Sequence, residues 1–434
     1  MTPLSPPTDE APPAGEDATD AERIFRPRRA LPTDVVRPTR AEVNLSHLRH
    51  NLHVLRAASA LGPGQAKPKI WAVLKADAYG HGAKAVARTL ERAGVDGICV
   101  ALVEEGVELR EAGITAPILV MGGYYGSAFR ELLHHELTPV LHEVAQIEEL
   151  ARIVRSRDAG PVCAHLKVDT GMARLGAPPS EWEHLARTLS AHPQLIFEGL
   201  MTHFANADLA RADVLDEPLA LFERARETFR AHGLVPRLLH AANSAALLRG
   251  GADFDVVRPG IALFGVDPLP AVAPGETAFV PVEITAKLRP VMSVHSKIVA
   301  LRELFPGDHV GYGSTWTAVR TSRVATVPMG YADGLSRALS NRGTLLVHGA
   351  RAPIVGVVSM DMTMIDVTDI PQVSLGDDVV LLGSQKWPTE RGPGAQAGES
   401  GAVTAREIAA ASGTIPWEVL TNISRRVPRF YREP

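Results

Sequence analysis

From about residue 46 to 265, apolar runs that end in polar residues alternate with stretches of helical spacing. The runs are KIWAVLK (69–75), GICVAL (97–102), PILVMGG (117–123), LTPVL (137–141), AHLKVDT (164–170), FEGLMTHF (197–204), RLLHAAN (237–243) and VVRPGIALFG (256–265). Between most of them, apolar residues recur every three or four positions, as in AKAVARTLERAG (83–94) and EPLALFERARETFRAHG (217–233). The first such stretch, SHLRHNLHVLRAASALG (46–62), opens with Ser46 as the expected N-cap. Eight strand candidates interleaved with helices predict an α/β fold, a (β/α)8 TIM-type barrel. A doubly wound sheet is the competing architecture, but no GxGxxG follows the first strand.

Beyond residue 265 the period changes. Residues 268–281 are rich in proline and read as a linker. Short runs with turn signals follow: RPVMSVHSKIVAL (289–301), RVATVPMG (323–330), GTLLVHG (343–349), APIVGVVSM (352–360), TMIDVTD (363–369) and DDVVLLG (377–383). They predict a C-terminal all-β domain. GPGAQAGESG (392–401), within a longer insertion over 385–402, reads as a flexible loop. A short helix near TAREIAAASG (404–413) and a segment near NISRRVPRFY (422–431) close the chain. The expected divisions are a disordered tail over 1–36, a barrel over 37–267 and a β domain over 268–434. The early strand AEVNL (41–45) precedes the barrel and can pair with the β domain.

Composition narrows the function classes. The chain has 434 residues, 45% of them hydrophobic, enough to bury a large core. A net charge of −4 gives no electrostatic reason to expect a nucleic-acid partner. Cys99 and Cys163 both sit in apolar runs, so buried free thiols in a reducing compartment are expected rather than a disulfide. Neither two cysteines nor any HExxH-type spacing makes a metal site. Residues 1–35 are rich in Pro, Asp, Glu, Thr and Ala and lack the apolar run of an export signal. No window of about 18 apolar residues would span a membrane. The expectation is a cytoplasmic protein.

In a (β/α)8 barrel, chemistry gathers where the strands end at their C-terminal side. The polar residues there are Lys75, Arg174 just past strand five, His203, Asn243 with Ser244, and Arg258. These groups suit an anionic, phosphate-bearing ligand. A lysine that ends a strand is often a plain surface residue, but a partly desolvated one has a neutral amine able to form a Schiff base. The turn Asp77-Ala78-Tyr79-Gly80-His81-Gly82 leads into a helix, whose entry could receive phosphate, although Tyr79 could equally be packing. The loops after strands seven and eight, the usual barrel phosphate site, hold Ser244 and Gly260-Ile261. A helix N-cap at Ser244 and a turn at Gly260 are the structural alternatives.

At this point eight segments, in order, resemble the alanine racemase family. VLKADAYGHG (73–82) is similar to its pyridoxal phosphate (PLP) attachment signature. KVDTGMARLG (167–176), THFANAD (202–208), HAANSAA (240–246), VRPGIALFG (257–265), VGYGSTW (310–316), PMGYADG (328–334) and SMDMTMIDV (359–367) continue the likeness over roughly residues 37–434. The resemblance implies a PLP-binding barrel, a C-terminal β domain and a homodimer whose sites are shared between subunits. It also implies interconversion of L- and D-alanine, small-molecule substrates, by proton transfer at Cα, supplying peptidoglycan.

Roles follow position by position. Lys75 resembles the Schiff-base lysine that serves one face of Cα, and Tyr312 the tyrosine that serves the other from the second subunit. His203 and Arg258 resemble the groups that orient that tyrosine, and Arg258 also the arginine that faces the pyridine nitrogen. Arg174 resembles the contact to the cofactor's phenolic oxygen and the substrate carboxylate. Lys167 matches a lysine often carbamylated; a plain lysine in a salt bridge is the other reading. Tyr79, Ser244, Gly260 and Ile261 match phosphate-binding positions, and Asn243 is taken with them on the cofactor. Met360 matches a backbone contact to the substrate carboxylate, while Tyr331 and Asp361 match an entry corridor. Trp417, in PWEV, departs from the family's usual tyrosine; indole donates one hydrogen bond and accepts none.

Three other functions are weighed. A non-catalytic PLP carrier would have a single barrel without the second domain. A decarboxylase would need a cysteine where Ser359 stands. A broad-specificity amino-acid racemase of the same fold is the alternative that substrate assays separate.

Overall fold

The first element among the described residues is a strand that the barrel does not use. In the computed structural model, which describes residues 36–59, 67–123, 128–157, 160–250, 252, 254–269, 282–386 and 400–433, β1 (Arg40–Asn44) runs antiparallel to a strand of the β domain and parallel to the final strand. Helix α1 (Leu45–Ala58) follows at once. Its N-cap is Asn44, not Ser46: the Asn44 carboxamide oxygen accepts from Ser46 N and His47 N, and the Ser46 hydroxyl donates to the same oxygen at 2.7 Å. An asparagine one step outside the helix reaches both free N–H groups, which a residue already inside the first turn cannot do.

The barrel strands are β2 (Lys69–Val73), β3 (Gly97–Val100), β4 (Ile118–Val120), β5 (Thr138–Leu141), β6 (Val162–Lys167), β7 (Leu195–Met201), β8 (Leu238–His240) and β9 (Val256–Val257). The helices between them include α2 (Ala83–Arg92), α3 (Val103–Glu111), α4 (Phe129–His134), α5 (Val144–Ser156), α6 (Trp182–Ser190), α7 (Asp216–Ala231) and α8 (Ser244–Arg249). The eight strands form one parallel sheet in the order β8-β7-β6-β5-β4-β3-β2-β9. All eight runs read from the sequence contain a strand, as a (β/α)8 barrel requires.

The last strand is far shorter than the run VVRPGIALFG. Pro259 has no N–H to continue the ladder, and Ile261–Phe264 turn as a 3-10 helix. The seam between β8 and β9 is bridged instead by single contacts. Asp255 N donates to Leu239 O at 3.0 Å, the Asp255 carboxylate accepts from Leu239 N at 2.7 Å, and Arg258 N donates to Ala242 O at 2.9 Å.

After α9 (Val282–Thr285), the β domain carries β10 (Met292–Lys297), β11 (Ala300–Leu304), β12 (His309–Val310), β13 (Trp316–Thr317), β14 (Ser322–Val327), β15 (Thr344–Val347), β16 (Ala350–Pro353), β17 (Thr363–Asp366), β18 (Asp378–Lys386) and β19 (Ser400–Val403). Helices α10 (Ala405–Ser412) and α11 (Pro416–Thr421) and strand β20 (Arg429–Arg432) complete it. The main sheet runs β16-β15-β18-β10-β1-β20, with β19 beside β18, and a second sheet runs β11-β14-β17.

Three expectations change here. RPVMSVHSKIVAL divides into two strands of different sheets. APIVGVVSM is a strand only at its start, because its later N–H groups go to side chains: Gly356 N to Asn341 and Val358 N to Ser340. The α11 helix, with proline in its first turn, was not anticipated. The expected tail, most of the linker and most of the 392–401 loop fall outside the described residues, although Ser400 and Gly401 pair with β18.

One continuous buried apolar cluster includes Val43, Leu48, Ile98, Phe264, Met292 and Leu420 and so runs through both domains. Asn51 of α1, fully buried, fastens the junction. Its amide nitrogen donates to Leu263 O and Arg289 O, and its oxygen accepts from Arg289 N, all at 2.8–2.9 Å. Cys99 is buried and free; Cys163 is also free but only half-buried, its thiol donating to Glu198. Replacing Asn51 with leucine strands these buried backbone groups, and urea denaturation should show a loss of at least about 1–3 kcal/mol. An unchanged midpoint would mean the junction is held elsewhere.

Candidate active site

Lys75 stands two residues past the end of β2, where the chain enters an unusual turn. Ala76, Asp77, Ala78 and Tyr79 all have φ of 52–53°. Left-handed backbone costs a non-glycine residue about 1–2 kcal/mol, so four in succession need external support. Glu105 supplies part of it: one carboxylate oxygen accepts from Ala76 N at 2.6 Å, and the other accepts from Ala101 N and Leu102 N. The Asp77 carboxylate accepts from Ala83 N at 2.7 Å. That N–H opens α2, so the helix entry proposed for phosphate is already partly occupied.

His81, fully buried, closes the turn from inside. Its Nδ1 lies 3.0 Å from Ala78 O and 2.9 Å from Tyr79 O, and its ring stacks on Phe264. Both partners are carbonyls, so Nδ1 must carry the proton. Burial pushes its pKa down to about 4, which keeps the ring neutral.

Around Lys75 the strand ends bring Lys167, Arg174, His203 and Arg258 within electrostatic reach of one another. Burial, then the Arg174 guanidinium, lowers the pKa of the Lys75 amine. Lys167 is 5% exposed, and burial followed by Arg174 and Arg258 brings it down to about 8. His203 is driven well below the usual histidine range by burial first and the surrounding cations next, so it is neutral. Arg174 itself is exposed, on the loop after β6.

The two acids that these lysines feel, Glu105 and Asp169, spend their oxygens on backbone N–H groups; Asp169 accepts from Gly171, Met172 and Ala173. Among the described residues none of the four cations forms a salt bridge. Hydrogen bonding leaves both carboxylates charged, and each still raises the proton affinity of its lysine, so two acids offset part of the charge of four cations; the positive excess is the condition for holding an anion.

Arg258 is 2% exposed and fixed by three bonds, to Thr202 O at 2.6 Å, Ala241 O at 3.1 Å and His240 Nδ1 at 2.9 Å. Arginine can only donate, so His240 Nδ1 accepts and its proton sits on Nε2. That proton is then donated to His165 Nδ1 at 2.8 Å. Burial pushes His165 down to about 3 and His240 well below its ordinary value, so both rings stay neutral. The sequence reading missed His81, His165, His240 and Glu105. His165 and His240 had a signal, as polar residues inside the otherwise apolar runs AHLKVDT and RLLHAAN. Gly199 makes room for them: a Cβ there would overlap the His165 ring.

Ser244 is not the helix cap. Asn243 is, accepting from Ala245 N and Ala246 N, so its carboxamide oxygen is engaged in the fold. The Ser244 hydroxyl accepts from Gly260 N at 2.9 Å and Ala262 N at 3.3 Å, leaving its own proton to donate outward. Gly260 thus spends its N–H on Ser244 rather than offering it freely. The Tyr79 hydroxyl lies where a Cβ on Gly260 would be, and Ile261 follows, 2% exposed. Lys75, Tyr79, Ser244 and Gly260 therefore belong to one barrel mouth.

The β-domain candidates stand apart from that cluster. Tyr312 is 74% exposed in the turn between β12 and β13. Met360 and Tyr331 are also well exposed, and Ala332 N donates to Met360 O. Asp361 accepts from Arg426 at 2.6 Å, and Arg426 also pairs with buried Asp333. Trp417 lies in α11, half-buried against the core. None of these shows a contact with Lys75 within the described residues of the chain.

Comparison with known proteins gives a single answer. Residues 43–268 match the family "Alanine racemase, N-terminal domain", and residues 291–431 match "Alanine racemase, C-terminal domain". An alanine racemase of Sorangium cellulosum is 57% identical over 403 residues, 92% of this chain and 100% of that one. The solved alanine racemase of Bacillus anthracis with bound L-Ala-P is 33% identical, with a TM-score of 0.78, covering 92% of this chain and 96% of that one. The Bartonella henselae enzyme with covalently bound pyridoxal phosphate is 29% identical, with a TM-score of 0.77, covering 91% of this chain and 99% of that one.

The depressed Lys167 carries a pH signature. Its folded pKa of about 8 lies below the ordinary 10.5, so between those values the unfolded chain binds more protons. Stability of the cofactor-free protein should rise with pH across that window and gain nothing from this group below it. Lys167→Met should flatten this rise in stability, measured by denaturation from pH 7 to 10.5; an unaltered slope would remove Lys167 as its source.

Proposed function

The chain belongs to the alanine racemase family, and from that premise we propose how its own residues carry out the interconversion of L- and D-alanine. The family depends on pyridoxal phosphate, and the residues present suit it. A phosphate, a phenolic oxygen and a substrate carboxylate are three anions for a group of Lys75, Lys167, Arg174 and Arg258 that Glu105 and Asp169 offset only in part. That excess of positive charge is the observation that carries the reading. Bound covalently, the cofactor holds the substrate amine and acidifies its Cα.

Lys75 holds the cofactor and moves a proton at one face of Cα; its lowered basicity favours the neutral amine both tasks need. Tyr79, Ser244, Gly260 and Ile261 receive the phosphate, with the spare Ser244 proton and the Tyr79 hydroxyl as donors, and Asn243 holds the helix that carries Ser244. Arg258 faces the pyridine nitrogen. His240 and two carbonyls fix this guanidinium through three of its five N–H groups, leaving Nε–H and one Nη1–H to donate; so weak an acid would not give up its proton, so that nitrogen would stay unprotonated and the electron sink would be weak. Arg174 takes the substrate carboxylate. Lys167, part neutral near pH 8, is suited to carbamylation, which would make it an anion beside Arg174.

The opposite face needs a second group, and Tyr312 is assigned to it from the other subunit of a homodimer, oriented by His203 and Arg258. Met360 reaches the substrate carboxylate from the same subunit, with Tyr331 and Asp361 along the entry corridor. The exposure of Tyr312, Met360 and Tyr331 supports this reading. Trp417 replaces a family hydroxyl, and its indole can serve a phosphate but not accept from Tyr312. Two free cysteines fit a reducing cytoplasm, and supply of D-alanine for peptidoglycan is the family's usual role. No helix among the described residues is long and apolar enough to cross a membrane.

Lys75→Ala should lose both racemisation and the visible absorbance of the attached cofactor; retention of that absorbance would place the attachment elsewhere. Tyr312→Phe should keep the cofactor while proton exchange with solvent falls about 100- to 10,000-fold on one face, seen as deuterium entering one enantiomer only. Full racemase activity would end its assignment. L-alanine should be turned over faster than L-serine, L-lysine or L-arginine; equal turnover of a long side chain would favour the broad-specificity alternative.

A further inference from the structure

The left-handed turn that carries Lys75 is enclosed by the far end of the chain. Arg429, on β20, donates from Nε to Gly80 O at 3.1 Å, while its other nitrogens hold Ile423 O, Ser424 O and Val427 O. One guanidinium thus ties the Lys75 turn to the loop between α11 and β20. Two residues along the same strand, the Tyr431 ring lies across Gly82, so that a Cβ on Gly82 would overlap its hydroxyl. A Cβ on Gly80 would likewise strike Leu420 O, at the end of α11. Gly80 and Gly82 have φ of 78° and 91°, so glycine is demanded both by the backbone and by this close approach. Asp77 interacts electrostatically with both Arg429 and Tyr431. β20 is itself registered on β1, with Ala41 opposite Arg429 and Val43 opposite Tyr431.

We propose that Arg429 and Tyr431 are positioning residues for Lys75: the last strand of the β domain holds the lysine turn in its left-handed form and so fixes the direction of the amine. Neither residue touches the reacting atoms. His81 and Asp77 brace the turn from within; Arg429 and Tyr431 brace it from the other domain. Without the outer brace the four strained residues relax toward ordinary backbone, and Lys75 no longer meets a cofactor whose phosphate is held separately at Ser244. The inference rests on Lys75 as the attachment residue.

The test uses purified holoenzyme. Arg429→Gln, which removes the bond to Gly80 O, should release pyridoxal phosphate about tenfold faster, the change that loss of one ordinary hydrogen bond produces, and Tyr431→Ala, which removes the ring across Gly82, should speed release as well. Both should also weaken the visible circular-dichroism band of the bound cofactor, which reports its fixed orientation. Arg429→Lys should recover part of both. Far-ultraviolet circular dichroism and the melting temperature monitor the fold. Unchanged release and an unchanged visible band in folded variants overturn the proposal, as does a lowered melting temperature with both readouts intact, since that is a purely structural role. Should Arg429→Gln fail to fold, Tyr431→Ala, which deletes the ring across Gly82 and leaves the Arg429 bonds in place, decides alone. Lys75→Ala, measured alongside, separates the outcomes: cofactor attachment that survives it refutes the attachment residue, whereas attachment that needs Lys75 but ignores Arg429 and Tyr431 refutes the brace.

Discussion

Four cationic side chains share one barrel mouth with two carboxylates near them and no salt bridge among the described residues, and much of the site's organisation follows from that. Burial lowers the proton affinity of Lys75, Lys167 and Arg258, and the Arg174 guanidinium adds to the effect at both lysines. The nearby acids, Glu105 and Asp169, are held by backbone N–H groups rather than in ion pairs, and their charge offsets the cations only in part. Even the histidines comply, since His203, His165 and His240 are held neutral and add no charge. Leaving charge unpaired is costly to a folded protein, and the cost is recovered when a ligand with several anionic groups enters. Cofactor and substrate are thus demanded by electrostatics before any step of chemistry is considered.

The second constraint is conformational. Lys75 is followed by four non-glycine residues in the left-handed region, a backbone state that persists only when its surroundings impose it. Those surroundings come from two domains: Glu105, His81 and Asp77 in the barrel, and β20 and α11 in the β domain. The pairing of β1 with β20 and β10 explains how they meet. The N-terminal strand and the C-terminal strand lie side by side in one sheet, so α1 leaves that sheet directly for the barrel. The two domains are therefore one packed body with a shared core, and the β domain contributes to the lysine's geometry within its own chain.

Much of this was legible in the sequence, for identifiable reasons. Parallel strands buried on both faces appear as continuous apolar runs, so each barrel strand could be found, and the polar residues ending them pointed to Lys75, Ser244 and Arg258. What escaped depended on contacts distant in sequence or on backbone angles. Ser46 looked like a cap because serine is a good one, yet Asn44 was better placed. The turn at 75–82 read as an ordinary helix entry, because nothing in alanine or aspartate announces a positive φ. VVRPGIALFG read as a long strand, whereas Pro259 stops the ladder early. Asn243, read as a cofactor contact, also caps the helix that carries Ser244, which its sequence position did not reveal. Tyr312 and Met360 were identified by resemblance alone; in one chain they face outward, and their proposed role exists only when a second chain is present.

That last point is the central claim, that each site is built from two subunits, and mixing crippled subunits tests it most directly. Lys75→Ala and Tyr312→Phe chains, each inactive alone, are combined and allowed to exchange partners. If Tyr312 serves the partner's Lys75, every heterodimer contains one site with both residues intact, and an equal mixture recovers about one quarter of the wild-type activity, one site in two of half the dimers. No recovery after exchange, shown by isolating the heterodimer, would mean that both residues act within the same chain and would contradict the shared site.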